Sequence, residues 1–182
     1  SRVEDTPTPA RMADTLPPAP DATAPAQAPA YFPRHENPDA SIVIPVYNQW
    51  AYTAACLSSL RSTRSRHTFE VIVVDDQSSD ETAAELAKIN GITALRNEQN
   101  LGFLGSCNRG AGHARGQFLV LLNNDTQVTD GWLDELADTF SAQPEAGLVG
   151  SRLVYPDGRL QESGGIIYSD ASGWNYGRDD DA

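Results

Sequence analysis

Residues 69 to 76 read FEVIVVDD, in which Val71 to Val74 form an unbroken apolar run that ends on two carboxylates. A strand with one wet face alternates apolar and polar residues. A short continuous run marks a strand covered on both faces, as in a parallel sheet flanked by helices. The neighbouring stretches repeat the pattern. Upstream, ASIVIPVY (residues 40–47) is a second such run; downstream, ITALRN (92–97) is a third and shorter one, and QFLVLLNND (117–125) a fourth. All are expected to be strands, and all but the shorter third to be buried.

Helical patterns lie between them. Residues 50–62 place Ala54, Leu57 and Leu60 at helical spacing. In QSSDETAAELAKIN (77–90), Ser78 and Glu81 match a capping box, with Leu86 and Ile89 facing inward. LGFLGSCNRGAGHARG (101–116) reads as a Gly-rich loop and helix, and Asp130 as the cap of a helix from Trp132 to Phe140. The stretch 147–168 reads as a strand followed by a hairpin turning at Pro156-Asp157-Gly158. Alternating strands and helices predict an α/β fold with a mostly parallel sheet. Ligands bind such sheets beyond the carboxyl ends of the strands. Those ends carry Tyr47 and Asn48, then Asp75 and Asp76, then Asn123 to Asp125, and their convergence says more than any single motif.

The totals narrow the function. With 182 residues the chain has room for one sizeable domain and some length besides. A net charge of −12 argues against a nucleic-acid binder, which needs a basic footprint. Any phosphate site must therefore offset that field with a cation, a helix N-terminus or an arginine. No apolar run approaches the roughly 20 residues that span a bilayer. The opening SRVEDTPTPAR is no signal peptide, and both ends read as cuts from a longer chain. Cys56 and Cys107 lack metal-like spacing and read as reduced thiols of a cytoplasmic protein, any attachment to the inner face of the membrane falling to other parts of the full protein. Residues 1–38, rich in Pro, Ala and Thr, read as a linker that Tyr31 and Phe32 would anchor to the domain at 39–182.

Each polar cluster has a plain reading beside a functional one. Asp75 and Asp76 suit a ribose hydroxyl or a base N–H, but DDQSSD is also turn and capping material. The loop NLGFLGSCNRG lacks a Walker A lysine and a clean G-x-G-x-x-G, so its glycines either approach a ligand, with Arg109 near, or pack a helix on the sheet. Arg96 faces a phosphate or solvent. Asn123 and Asp125 supply an amide and a carboxylate two residues apart, which on a persisting strand share one face and offer part of an octahedral shell to Mg or Mn. The plain alternative there is an Asx-turn. His113 and Trp132 read as surface or packing residues. Glu162 reads as a hairpin carboxylate or a cleft residue. Trp174, Asn175 and Tyr176 read as the floor of a sugar site or as a loop.

Taken in order, SIVIPVYN, VIVVDDQSSDET, NLGFLGSCNRG, FLVLLNNDT and GWLDEL resemble the family-2 glycosyltransferases of the GT-A fold. GLVGSRLVYPDGRLQESGG and GWNYGR are similar to the rhamnosyltransferase-like branch. The likeness runs from about Ala40 to the C-terminus. It implies a Rossmann-like sheet, a UDP- or dTDP-sugar donor, a divalent metal, and inverting transfer to a glycan or lipid-linked acceptor in polysaccharide biosynthesis. By position, Pro45, Val46 and Tyr47 would lie against the nucleobase. Asp75 and Asp76 would hold base or ribose; Arg96, Gly102 and Asn124 would line the nucleotide pocket. Asn123 and Asp125 hold the outer positions of the family's metal-binding D-x-D, and Asn123 replaces the commoner Asp with one negative charge fewer. The family's general base is a carboxylate in an acidic motif well beyond the metal site. No such motif follows Gly165, and the base is expected beyond Ala182. The expectation is a fold incomplete at its C-terminus that binds donor and transfers little. A non-catalytic nucleotide-sugar-binding or scaffolding module is the alternative. A nucleotidyltransferase would want a basic Gly-rich loop after the first strand, which PVYNQWAYT does not offer.

Overall fold

Backbone pairing joins the four predicted strands into one parallel sheet. The computed structural model describes residues 27–167 and 173–175, with the backbone alone for residues 165–167 and 173–175. Strands β1 (Ala40–Val46), β2 (Phe69–Asp75), β3 (Thr93–Arg96) and β4 (Phe118–Leu121) lie in the order β3-β2-β1-β4. Helices α1 (Trp50–Ser62), α2 (Thr82–Leu86) and α3 (Gly102–Ala111) connect them, and α4 (Trp132–Ala142) follows. The chain divides into two compact units, one of them Pro20–Ser141, which holds this sheet. In the other, β5 (Leu153–Val154) and β6 (Leu160–Glu162) form an antiparallel pair around the predicted turn, and β7 (Gly165–Ile167) pairs with β8 (Gly173–Asn175). Trp174 and Asn175 therefore belong to a strand, and Glu162 ends β6. Tyr176 lies outside the described residues, as does the stretch from there to Ala182, beyond which the general base is expected.

The period-2 alternation of the strands sorts the core into two layers. Ile42, Ile44, Val71 and Val73 pack with Trp50, Ala54, Leu57 and Leu60 of α1. Val43, Ile72 and Val74 point the other way, toward α3. Each such side chain removed from water stabilises the fold by about 1.5–3 kcal/mol. Gly110 lets α3 approach the sheet, because a Cβ there would lie 2.3 Å from Val43 Cγ1.

Three local expectations need correction. The LVLL stretch is not buried on both faces. β4 pairs with β1 at the sheet edge, and Leu119 and Leu121 are 50% and 53% exposed. The capping box at Ser78 does not form. Ser78 Oγ instead accepts the Asn48 N–H at 2.7 Å, Asp80 accepts the Thr82 N–H at 3.0 Å, and α2 shrinks to five residues. Asp130 accepts the Arg64 N–H at 2.9 Å, joining the turn before α4 to the loop after α1.

Residues from 27 onward in the Pro/Ala-rich stretch pack along this unit. Phe32 is buried, its N–H donates to the Asn90 carbonyl at 2.8 Å, and the Arg61 guanidinium lies 5.7 Å over the exposed Tyr31 ring. Gly91 permits the contact: its φ is +88°, and a Cβ would lie 1.9 Å from the Phe32 oxygen. Residues 1–26 lie outside the described residues.

Candidate functional site

The turn after β1 sets the first wall of the site. Pro45 and Val46 end the strand, and Asn48 and Gln49 then take left-handed backbone angles, φ 57° and 61°. That conformation is costly for residues with a Cβ, by roughly 1–2 kcal/mol each. Offsetting bonds come from the neighbouring turn, where Asn48 Oδ1 accepts the Ser79 N–H at 2.7 Å. The two turns brace each other and leave Tyr47 projecting, 56% exposed.

The end of β2 forms the second wall, and its two carboxylates do different work. Asp75 pairs in register with Arg96 of β3, whose guanidinium donates to the Asp75 carboxylate and to the Ser78 carbonyl. Ser78 N–H donates to the other Asp75 oxygen at 2.8 Å. Asp76 accepts from Asn97 Nδ2 at 2.6 Å, from Leu101 N–H at 2.8 Å and from Gly102 N–H at 2.9 Å. It caps α3 from another element. Burial pushes the Asp76 carboxyl up, but hydrogen bonds from Asn97, Leu101, Gly102 and Ser106 outweigh it and hold it below the usual range.

A cleft of about 200 Å³ lies between these walls, lined by Pro45, Val46, Tyr47, Asp76, Gly102, Phe103, Ser106 and Asn124. It gathers most of the residues expected at a nucleotide site. Asp75 and Arg96 are tied to each other and do not line it. Phe103 and Ser106 were missed. The signal for them was the helical spacing that carries one face of α3 from Gly102 to Ser106. Phe103 is 60% exposed, a second uncovered aromatic ring beside Tyr47.

β4 delivers the last group. The strand ends at Leu121, and Thr126 N–H donates to the Asn123 carbonyl at 3.2 Å, closing a turn. Strand alternation therefore does not set the directions of Asn123 and Asp125; the turn does. Both are exposed, and among the described residues neither side chain has a hydrogen-bond partner. Asn124 between them donates to Thr53 Oγ1 of α1 at 3.0 Å. Beneath the turn, Cys56 Sγ lies 3.8 Å from the Asn123 carbonyl. Burial, and then the Asp125 charge, push its thiol up to about 12.

Among the described residues no three His, Cys, Asp or Glu side chains converge on a point that could hold an ion. The donor set at β4 nevertheless fits a hard divalent cation. Mg and Mn usually take one or two protein carboxylates or carbonyls and draw the remaining oxygens from phosphate and water. The start of α3 is a poorer anion site than the sequence suggests, because Asp76 already occupies its first amides. A phosphate group in this acidic chain would need its charge met elsewhere.

Comparison with known proteins agrees with this architecture. The profile described as glycosyl transferase family 2 matches residues 41–180. The chain belongs to glycosyl transferase family 2. Over 148 residues it is 31% identical to the O-antigen biosynthesis protein RfbC of Myxococcus xanthus, covering 79% of this chain and 12% of that one. The Staphylococcus aureus TarS structure with UDP-GlcNAc superposes with a TM-score of 0.52 at 22% identity, over 64% of this chain and 40% of TarS. The mannosyltransferase PcManGT of Pyrobaculum calidifontis, with GDP-Man and Mn²⁺, gives 0.54 at 21% identity, over 79% of this chain and 41% of that one. The chain thus spans well under half the length of these relatives. The family-2 fold is the one expected from the sequence, a parallel α/β sheet with helices on both faces. No helix among the described residues is long and apolar enough to cross a membrane.

Proposed function

We propose that this chain is the nucleotide-sugar-binding part of an inverting glycosyltransferase that uses a divalent metal and serves a glycan or lipid-linked acceptor in polysaccharide synthesis. One observation carries the reading. The ends of β1, β2 and β4 and the start of α3 meet at a single cleft, and two uncommitted oxygen donors flank the Asn124 that lines it.

In this reading Tyr47, with Pro45 and Val46 in the same cleft, offers the nucleobase an apolar face. Asp76 accepts from a ribose hydroxyl or base N–H with the lone pairs its amide donors leave free. Asp75 fixes the Arg96 guanidinium at the edge of the site. Asn123 and Asp125 would hold the ion, which stabilises the negative charge that builds on the leaving diphosphate. Asp75, Asp76 and Glu70 are each engaged by neighbouring donors, and none is assigned as the base that deprotonates the acceptor.

We place the chain in the rhamnosyltransferase-like branch, on Asn123 in the first metal position and on the stretch 147–165. Titrating UDP and dTDP calorimetrically, with and without Mn, tests the nucleotide and metal reading. The expected result is nucleotide binding tightened about tenfold by Mn, or about 1.4 kcal/mol. Binding indifferent to Mn would instead favour a non-catalytic nucleotide-sugar module, for which the missing charge at Asn123 speaks. Absence of any nucleotide binding would sink both.

A further inference from the structure

Asn97 lies at the end of β3, 2% exposed, and of the residues that line the cleft its side chain touches Asp76 and Ser106. Each polar atom of that side chain is used. Its Oδ1 accepts from Arg109 Nη1 at 2.6 Å. Its Nδ2 donates to Asp76 Oδ1 at 2.6 Å and to Ser106 Oγ at 3.0 Å. Its backbone N–H donates to the Asp75 carbonyl at 2.8 Å. A guanidinium only donates, so the oxygen of the amide must face Arg109 and both amide hydrogens must face the site. Arg109 thereby orients Asn97, and Asn97 orients Asp76.

We propose that Asn97, oriented by Arg109, is a positioning residue that holds Asp76 as an anionic acceptor on the cleft wall and so sets nucleotide affinity. The inference rests on the nucleotide reading above. An aliphatic side chain at 97 would remove the 2.6 Å bond to Asp76 Oδ1 and leave the carboxylate to the Leu101 and Gly102 N–H groups and Ser106, so that it is held less firmly on the cleft wall. The other charged groups around Asp76 are already engaged. Asp75, next along β2, is held by Arg96 of β3, and Arg109 of α3 reaches Asn97 and the Arg96 carbonyl. Glu98 shares a separate groove with Arg109. β1 contributes Pro45, Val46 and Tyr47 to this wall, and the β4 turn contributes the neutral Asn124.

The isosteric Asn97→Asp substitution gives a sharp test. It sets a second carboxylate against Asp76, and two such groups at hydrogen-bond distance share a proton until pH rises, then repel. UDP and dTDP affinity of the variant, taken relative to the wild type at each pH so that titration of the ligand phosphate cancels, is expected to fall about tenfold between about pH 5.5 and 8.5. The Asp76 carboxyl ¹³C shift, followed against pH without ligand, is expected to titrate higher in the variant. A flat ratio of variant to wild-type affinity or an unmoved Asp76 titration in a folded Asn97→Asp protein overturns the proposal. If Asp76 moves but neither protein binds nucleotide, the nucleotide reading fails and with it the affinity claim, while the positioning of Asp76 stands. Should Asn97→Asp not fold, Arg109→Met alters a half-exposed side chain and keeps the core. It should weaken nucleotide binding about fivefold and raise the Asp76 titration, in the manner of a lost charge-assisted hydrogen bond. No change in either would equally overturn the proposal.

Discussion

The ends of β2 and β4 look alike in sequence, VVDD against LLNND, yet they end in opposite states. At β2 both carboxylates are buried and engaged by a guanidinium, an amide and three backbone N–H groups. At β4 the amide and carboxylate stand exposed with no side-chain partner among the described residues. β2 is a central strand, so its end meets β3 and the start of α3. β4 is an edge strand, and at its end Asn124 reaches α1 while the Asn123 and Asp125 side chains stay clear of it. Acidic strand ends are thus braced where neighbours surround them and left uncommitted where they do not.

The largest test of that contrast is Asp76→Ala. It leaves the Asn97 amide and the Leu101 and Gly102 N–H groups without their acceptor, and urea denaturation should show a loss of about 2–4 kcal/mol. If Asp76→Ala unfolds at the wild-type midpoint, β2 is not framework and the comparison breaks. Asp125→Ala should behave in the opposite way. Its unfolding free energy is expected within about 0.5 kcal/mol of wild type. The roughly tenfold tightening of nucleotide by Mn should vanish, as calorimetry in both conditions will show.

Acid sharpens the contrast further. Asp76 titrates below its unfolded value, so its contribution to stability is complete above the unfolded pKa and fades as pH falls through the folded one. Thermal melts should therefore drop below about pH 4. The drop should be smaller in Asp76→Asn. The smallest effect concerns Cys56, beneath the β4 turn, with its thiol at about 12. Iodoacetamide at neutral pH should leave it unmodified in the folded protein and label it in urea. Asp125→Asn should speed labelling only slightly, because burial outweighs the Asp125 charge.

The sequence by itself determined the alternation of strand and helix, and with it the α/β class and the gathering of polar groups at the carboxyl ends of the strands. Continuous apolar runs and helical spacing are local patterns, and solvent exclusion reads them directly. The turn at Pro156-Asp157-Gly158 was legible from its turn residues, and the packing of the Gly-rich helix on the sheet was one of two readings left open. Only the tertiary structure decided which polar groups are committed. Asp75 meets Arg96 because β2 and β3 pair in that register. Asp76 meets Asn97 and α3 because the chain returns 21 residues later. The same holds for Ser78, taken from its capping box by Asn48, and for β4, whose edge position leaves both its leucines half in solvent. A hydrogen bond depends on distance and direction across the fold, and neither is written in the order of residues along one segment.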